Sequence, residues 1–358
     1  MKKLVTILLI ALLLLGCNSH KNNDDYKNIL GEWNIFQYKL GGHSQGVTYF
    51  KFYQDKTVDI GGPTILTKNF YRIKEDSLMI YNIGENKPTG IKIEKLTKDS
   101  LILNNGEARS KIFTKVNYNS DNMSGIDKIV LSSSGCFGSC PSLNIIVNSD
   151  GSVVFSGVGY TSKIGFYTAR ISNITFDSLR NNFIRANVKN IDDYYLAEHT
   201  DDESITTTFL KNDKIVKSIT DYGHYGPIEL ELAYPPLRYL YRSIQMDKIP
   251  GDELPKFLKF HYSTFQLGNK ALWLSQSERF LLWDYLRKGI KSKKAFRQIY
   301  LLDEPFKNYS NNEILQKVET DGQYYKFYIK DEQPITIDIG FNFIDTNFKP
   351  SDFKESKD

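Results

Sequence analysis

The sequence predicts a multi-domain, β-rich α+β fold, in which a small β-barrel or sandwich is followed by α+β modules. Three observations carry this expectation. A length of 358 residues exceeds one ordinary domain. Residues 26–118 consist of short segments in which apolar and polar residues alternate, separated by polar turns, the period of half-buried strands. Beyond residue 125, strands of the same kind are interleaved with stretches whose apolar residues recur at helical spacing.

The chain opens Met1-Lys2-Lys3 and continues in an apolar run, Leu4 to Leu15, broken only by Thr6. The run suits the core of a signal peptide and falls short of the roughly 20 apolar residues a membrane span needs. It ends Leu14-Leu15-Gly16-Cys17, which resembles the lipobox of bacterial lipoproteins. That resemblance implies removal of residues 1–16 and acylation of Cys17. Two or three acyl chains anchor a protein durably where one does not. Residues 17–25 then form the lipidated cysteine and a polar tether. Asn18 stands where some Gram-negative lipoproteins carry the Asp that retains them at the inner membrane. The expected location is therefore the cell envelope, lipid-anchored, at the outer membrane.

Between residues 26 and 118, alternating segments fall at Leu30–Ile35, Tyr49–Tyr53, Thr57–Ile60, Asn69–Ile73, Ser77–Tyr81, Gly90–Leu96, Ser100–Leu103 and Ser110–Thr114. The Gly31-x-Trp33 start, followed by strand pairs joined by charged turns, resembles the small lipocalin-like domains of Bacteroidetes-type lipoproteins. The resemblance implies a lipocalin-like β-barrel with Trp33 plugging one end. Eight strands leave room for at most one small apolar ligand.

A polar linker, 119–125, leads to a module at 126–246. Strands are expected at Lys128–Leu131, Leu143–Val147, Val153–Ser156 and Phe166–Ile171, with a hairpin turn at Asn148-Ser149-Asp150-Gly151. A helix is expected near 175–186, then a hairpin over Ile205–Ile219. A helical stretch from Gly226-Pro227 is expected to break at Pro235-Pro236, and a second helical stripe to run from Leu237 to Ile244. A C-terminal α+β segment is expected at 250–345. Its helix opens on the capping box Ser275-Gln276-Ser277-Glu278 and ends at Gly289. Residues 346–358 are expected to be a disordered tail.

With Cys17 acylated, two thiols remain, Cys136 and Cys140, and in an oxidising compartment they are expected to pair. They sit in Gly135-Cys136-Phe137-Gly138-Ser139-Cys140-Pro141. This motif, the Asp150-Gly151 turn, Tyr195 with Thr200-Asp201, and Tyr222 with Gly226-Pro227 resemble a domain of unknown function, number 6438, found in bacterial lipoproteins. The resemblance covers about 126–245 and implies a fold and an envelope address, not a reaction. Asp202-Glu203 replaces the family's usual proline near Asp201, and Phe137 stands where Tyr is common.

Three function classes follow. The leading reading is a non-catalytic binding or interaction module. An enzyme would use His199, Asp201 and His224 as an acid–base or metal site. A thiol oxidoreductase would use Cys136 and Cys140, although three intervening residues and an exit into a strand depart from thioredoxin-like sites. No cofactor is implied. The formal charge of +4 falls to about +2 without Lys2 and Lys3, so no basic field for nucleic acid is expected. The basic cluster Lys288, Lys291, Lys293 and Lys294 follows a helix, where cations complement the dipole. The expected partners are the membrane, through the lipid, and an envelope protein or a small apolar ligand.

Overall fold

A computed structural model describes residues 25–35, 49–61, 66–81, 87–104, 106, 110–116, 125–250, 255, 258, 263–303 and 315–356. The signal sequence, Cys17 and most of the tether, and His43 and His261, lie outside the described residues. The chain divides into two compact units. The first comprises residues 1–119 with Pro227–Leu232, and the second comprises residues 120–226 with Ala233–Asp358.

In the first unit, eight strands follow one another around a closed barrel: β1 (Gly31–Ile35), β2 (Tyr49–Phe52), β3 (Thr57–Gly61), β4 (Leu66–Lys74), β5 (Ser77–Tyr81), β6 (Thr89–Leu96), β7 (Ser100–Asn104) and β8 (Lys111–Lys115). Strand β1 pairs antiparallel with both β2 and β8, which removes the sheet's edges. Turn chemistry sets the register. Asp55 accepts the backbone N–H and the hydroxyl of Thr57, and Lys56 and Glu75 take the left-handed conformation that their tight turns require. Inward-facing Trp33, Phe50, Phe52, Val58, Tyr71, Leu78, Leu101 and Phe113 form one buried cluster, so the barrel is packed with its own side chains.

The second unit holds two further sheets. The central one contains β9 (Lys128–Ser133), β10 (Ser142–Asn148), β11 (Ser152–Gly159), β12 (Gly165–Arg170), β13 (Tyr194–Leu196), β14 (Ser204–Lys211), β15 (Lys214–Tyr222) and β16 (Asp247–Ile249), in the order β13-β15-β14-β9-β10-β11-β12-β16. Helix α1 (Asn173–Arg185) belongs to the same unit, as do residues 233–238 of α2 (Ile228–Arg238). Phe183 of α1 meets Phe209 of β14 edge-on and lies beside Tyr234 of α2. Helix α3 (Gln276–Lys288) takes the opposite face, against β9, β10 and β14. Two covered faces explain why Ile129-Val130-Leu131 in β9 is an unbroken apolar run, buried throughout.

The third sheet contains β17 (Thr264–Leu267), β18 (Lys270–Trp273), β19 (Ile290–Ser292), β20 (Tyr300–Asp303), β21 (Leu315–Thr320), β22 (Tyr324–Ile329), β23 (Ile335–Asp338) and β24 (Lys354–Glu355). The expected boundary at residues 246–250 separates two sheets but not two cores. Val130, Ile146, Val154 and Leu210 of the central sheet share one hydrophobic cluster with Leu281, Leu282, Phe265 and Tyr325. Helix α3 is apolar on most of its circumference and is buried between them.

Two further expectations are corrected. Residues 346–356 are ordered: Phe348 packs on Phe343 of the short helix α4 (Phe343–Asn347), Phe353 stacks on Tyr300, and β24 pairs with β18. The charged residues face outward while two phenylalanines carry the burial, which composition alone conceals. Pro235 and Pro236 lie inside α2 instead of breaking it. The buried side chains of Tyr234 and Leu237 bracket the prolines, and this packing offsets the lost backbone hydrogen bonds. The stripe after Leu237 therefore completes α2 and adds one 3-10 turn, Leu240–Arg242.

Candidate functional site

Strand register brings most of the residues singled out by the sequence to one end of the central sheet. Ser133 at the end of β9 pairs with Leu143 of β10 and Ile205 of β14. Ser142 pairs with Gly159 at the end of β11, and Ser204 with Tyr222 at the end of β15. The segments 134–141, 197–203 and 223–226 therefore emerge side by side.

Segment 134–141 is the cysteine loop. Cys136 and Cys140 form a disulfide with their Cα atoms 5.6 Å apart. The loop is fastened at both ends. The Phe137 N–H donates to the Asp201 carbonyl at 2.8 Å, the Ser204 N–H to Ser134 Oγ at 2.8 Å, and Ser133 Oγ to the Pro141 carbonyl at 2.6 Å. Phe137 is left 91 % exposed at its tip. A five-residue loop of this kind removes little unfolded-state entropy. Replacing both cysteines with serine is expected to cost about 2 kcal/mol in urea unfolding. A loss well above that figure would show that the bridge holds more than its own turn.

The two histidines do not converge on Asp201. His199 Nε2 lies 3.0 Å from Asp202 Oδ2, and His224 Nε2 lies 2.9 Å from Glu203 Oε1. Asp201 takes a left-handed conformation, φ +71°, and supplies its carbonyl to the cysteine loop. Glu203 is buried and is the hub. Its carboxylate pairs through both oxygens with the Arg238 guanidinium, with Nη1 2.9 Å from Oε1, and Arg238 Nη2 also donates to the Pro141 carbonyl at 3.2 Å. A planar fork of this kind orients as well as neutralises a carboxylate. Residues His224, Glu203, Arg238 and Pro141 thus form one chain of hydrogen bonds that ends on the disulfide loop.

Burial opposes ionisation of Glu203, but the hydrogen bonds from His224 and Arg238 and their charges outweigh it and hold the carboxyl below its ordinary range. For Asp202, the hydrogen bonds from His199 and the Glu203 N–H likewise overcome burial and lower it. Asp221 goes the other way: burial raises it despite hydrogen bonds from the Gly226 and Tyr225 N–H groups and the Tyr234 hydroxyl. Its carboxylate folds the 222–226 turn, where Gly223 and His224 both have positive φ. A Cβ on Gly223 would lie 2.7 Å from Ala197 Cβ and 3.0 Å from His199 Nε2, so only glycine admits the His199 ring here.

Chemically, the arrangement is a clamp. Both Glu203 oxygens are engaged, Oε1 by His224 and Arg238 and Oε2 by Arg238, so the buried carboxylate holds the two side chains together. Among the described residues, no group of three or more His, Cys, Asp and Glu is placed to hold a metal ion. Asp202, Glu203, Asp221 and Arg238 were not among the expected site residues. Arg238 lies 35 residues from Glu203 on a different element, and no local pattern joins them. Of the basic cluster, Lys288 pairs with the buried Asp284 at 2.7 Å, together with Arg287, and Lys294 lies over the Tyr324 ring.

Residues 127–241 match the family model described as Domain of unknown function (DUF6438). The matched region is about a third of the chain and contains the cysteine loop, both histidines, Glu203 and Arg238. The match begins one residue before β9 and ends at Tyr241, so the clamp lies wholly within the domain. No curated protein and no solved structure matches the chain.

Proposed function

We propose that this chain is an envelope lipoprotein, anchored through an acylated Cys17 after removal of residues 1–16, whose exported part is a non-catalytic interaction module. One observation carries the reading: a buried hydrogen-bonded clamp and a disulfide together hold a loop whose tip, Phe137, is 91 % exposed. Preorganising an exposed aromatic lowers the ordering cost of binding, and aromatic anchors are typical of interaction hot spots. The barrel is read as lipocalin-like from its sequential eight-strand meander. Its packed interior favours a surface role over storage of a small ligand. The outer membrane is the proposed location, on the strength of Asn18, and the partner is an envelope macromolecule.

Photo-crosslinking in the native envelope tests this. A benzoylphenylalanine placed at Phe137 is expected to capture a discrete partner. The same probe at Ile174, which is 82 % exposed at the start of α1, is expected to capture none. Equal labelling at the two sites, or none at Phe137, defeats the reading. Mass spectrometry of the purified native chain should show an acylated Cys17 as its first residue.

A further inference from the structure

At the same end of the central sheet, on the side away from the histidines, the hairpin between β11 and β12 turns through Val158-Gly159-Tyr160-Thr161-Ser162-Lys163-Ile164. Three large apolar side chains project from it: Val158 is 57 % exposed, Tyr160 66 % and Ile164 53 %. The tip is built rigidly. A Cβ on Gly157 would fall 1.8 Å from the Lys163 carbonyl oxygen, so the two limbs touch backbone to backbone and only glycine fits. Thr161 Oγ1 donates to the Lys163 carbonyl at 2.7 Å and the Tyr167 hydroxyl to the Ile164 carbonyl at 3.1 Å. Tyr160 is held at φ +53°, a conformation that is strained for a bulky side chain. A fixed, strained turn that leaves three apolar side chains in water has no part in the core and marks a contact surface.

Its charge indicates what covers it. Residues 157–165 contain no Asp or Glu, and Lys163 lies within the tip. Lys248 of β16 is exposed beside it, its Cε 3.7 Å from the place of a Cβ on Gly165. The acid on the neighbouring strand, Asp247, is exposed and pairs with Thr168, one residue further along β12 from the tip than the Tyr167–Lys248 pair.

We propose that this hairpin tip docks on an anionic lipid surface. Val158, Tyr160 and Ile164 enter the boundary between headgroups and acyl chains, the Tyr160 hydroxyl stays at headgroup level, and Lys163 and Lys248 lie among the headgroups. The proposal rests on the N-terminal anchor. Three apolar side chains partition weakly alone, but a tethered chain meets the membrane at high effective concentration, where weak insertion is enough to hold the domain down.

The test uses the full-length chain with an N-terminal polyhistidine tag, held on vesicles that contain nickel-chelating lipid, so that anchoring does not depend on acylation. On vesicles rich in phosphatidylglycerol, backbone hydrogen exchange across 157–165 is expected to slow several-fold relative to the free chain. The Asn148–Gly151 turn at the other end of the sheet should be unchanged. The triple variant Val158→Ser, Tyr160→Ser, Ile164→Ser should lose the slowing while keeping free-chain exchange in β9 to β11, which confirms that it folds. Equal exchange of wild type and variant on these vesicles overturns the proposal. So does protection that appears only when envelope proteins are added, since that assigns the tip to a protein partner. Acylation of Cys17 is read separately, so an unmodified Cys17 with a protected tip removes the lipoprotein reading and supports the docking, and an acylated Cys17 with an unprotected tip does the reverse.

Discussion

Replacing Glu203 with glutamine is expected to destabilise the second unit by about 3–5 kcal/mol. Glutamine keeps the volume of the side chain but removes its charge, and Arg238 is buried with that carboxylate as its counter-charge. An uncompensated guanidinium in the interior costs more than the lost attraction alone, because it can neither rehydrate nor deprotonate. In a unit of this size, such a loss lowers the melting temperature by roughly 10 °C. The pH dependence gives a second signature. The folded-state pKa of Glu203 lies below its unfolded value of about 4.3. Its contribution is therefore present above that value and is lost as the pH falls through the folded pKa. The Glu203→Gln variant should accordingly lose less stability than wild type on acidification. Asp221 acts in the opposite sense. Burial raises its folded pKa, so its ionisation costs stability above that pKa, and protonation recovers the cost as the pH falls toward its ordinary value. Asp221→Asn removes that countercurrent and isolates the Glu203 limb. Urea unfolding between about pH 3 and pH 7 measures both. A Glu203→Gln cost under about 1 kcal/mol at neutral pH would make the pair a screened surface contact and remove the clamp.

Much of this architecture was legible in the sequence because it rests on local chemistry. The period of two from Tyr49 to Thr114 marks the barrel strands. The Asn148–Gly151 turn is closed by the Gly151 N–H to the Asn148 carbonyl. The Ser275–Glu278 capping box forms with both of its reciprocal hydrogen bonds. What sequence could not show depends on packing. The fusion of the 126–246 and 250–345 segments into one core is carried by α3, whose apolar circumference can be read as a helix but not as a shared one. The order of residues 346–356 depends on where Phe348 and Phe353 dock. At the site, the histidines were visible and their carboxylates were misassigned. Asp201 follows His199 by two residues, but its left-handed backbone gives a carbonyl to Phe137, and the next two residues take the rings. The hairpin tip lies between the expected strands Val153–Ser156 and Phe166–Ile171, and the exposure of Val158, Tyr160 and Ile164 depends on how the turn folds, which local composition does not show.

In the barrel, Trp33→Ala is expected to cost about 3–5 kcal/mol, a large share of what a domain of roughly 90 residues possesses. Trp33 is fully buried, and its Nε1–H donates to the Ile29 carbonyl at 2.7 Å, tying the segment before β1 to the barrel interior. Lys115 of β8 lies 4.9 Å from the ring centre and donates to the Asn28 carbonyl, so the indole also stands where the closing strand meets the N-terminal segment. Truncation removes the packing, the hydrogen bond and the surface beneath that lysine together. The buried cluster that holds Trp33 is made of residues of the first unit, so the loss should be felt there first. Hydrogen exchange in β1, β2 and β8 is expected to quicken while β9 to β11 keep the wild-type rate. Trp33→Phe keeps most of the ring and loses the N–H, and should cost only about 1–2 kcal/mol. The comparison also bears on ligand binding. A packed interior cannot lose an indole without collapse or a cavity, whereas a barrel with room for a ligand already tolerates empty space. A Trp33→Ala chain that keeps wild-type stability would therefore mean that the interior has slack, and the small apolar ligand would displace the surface-binding reading for this unit.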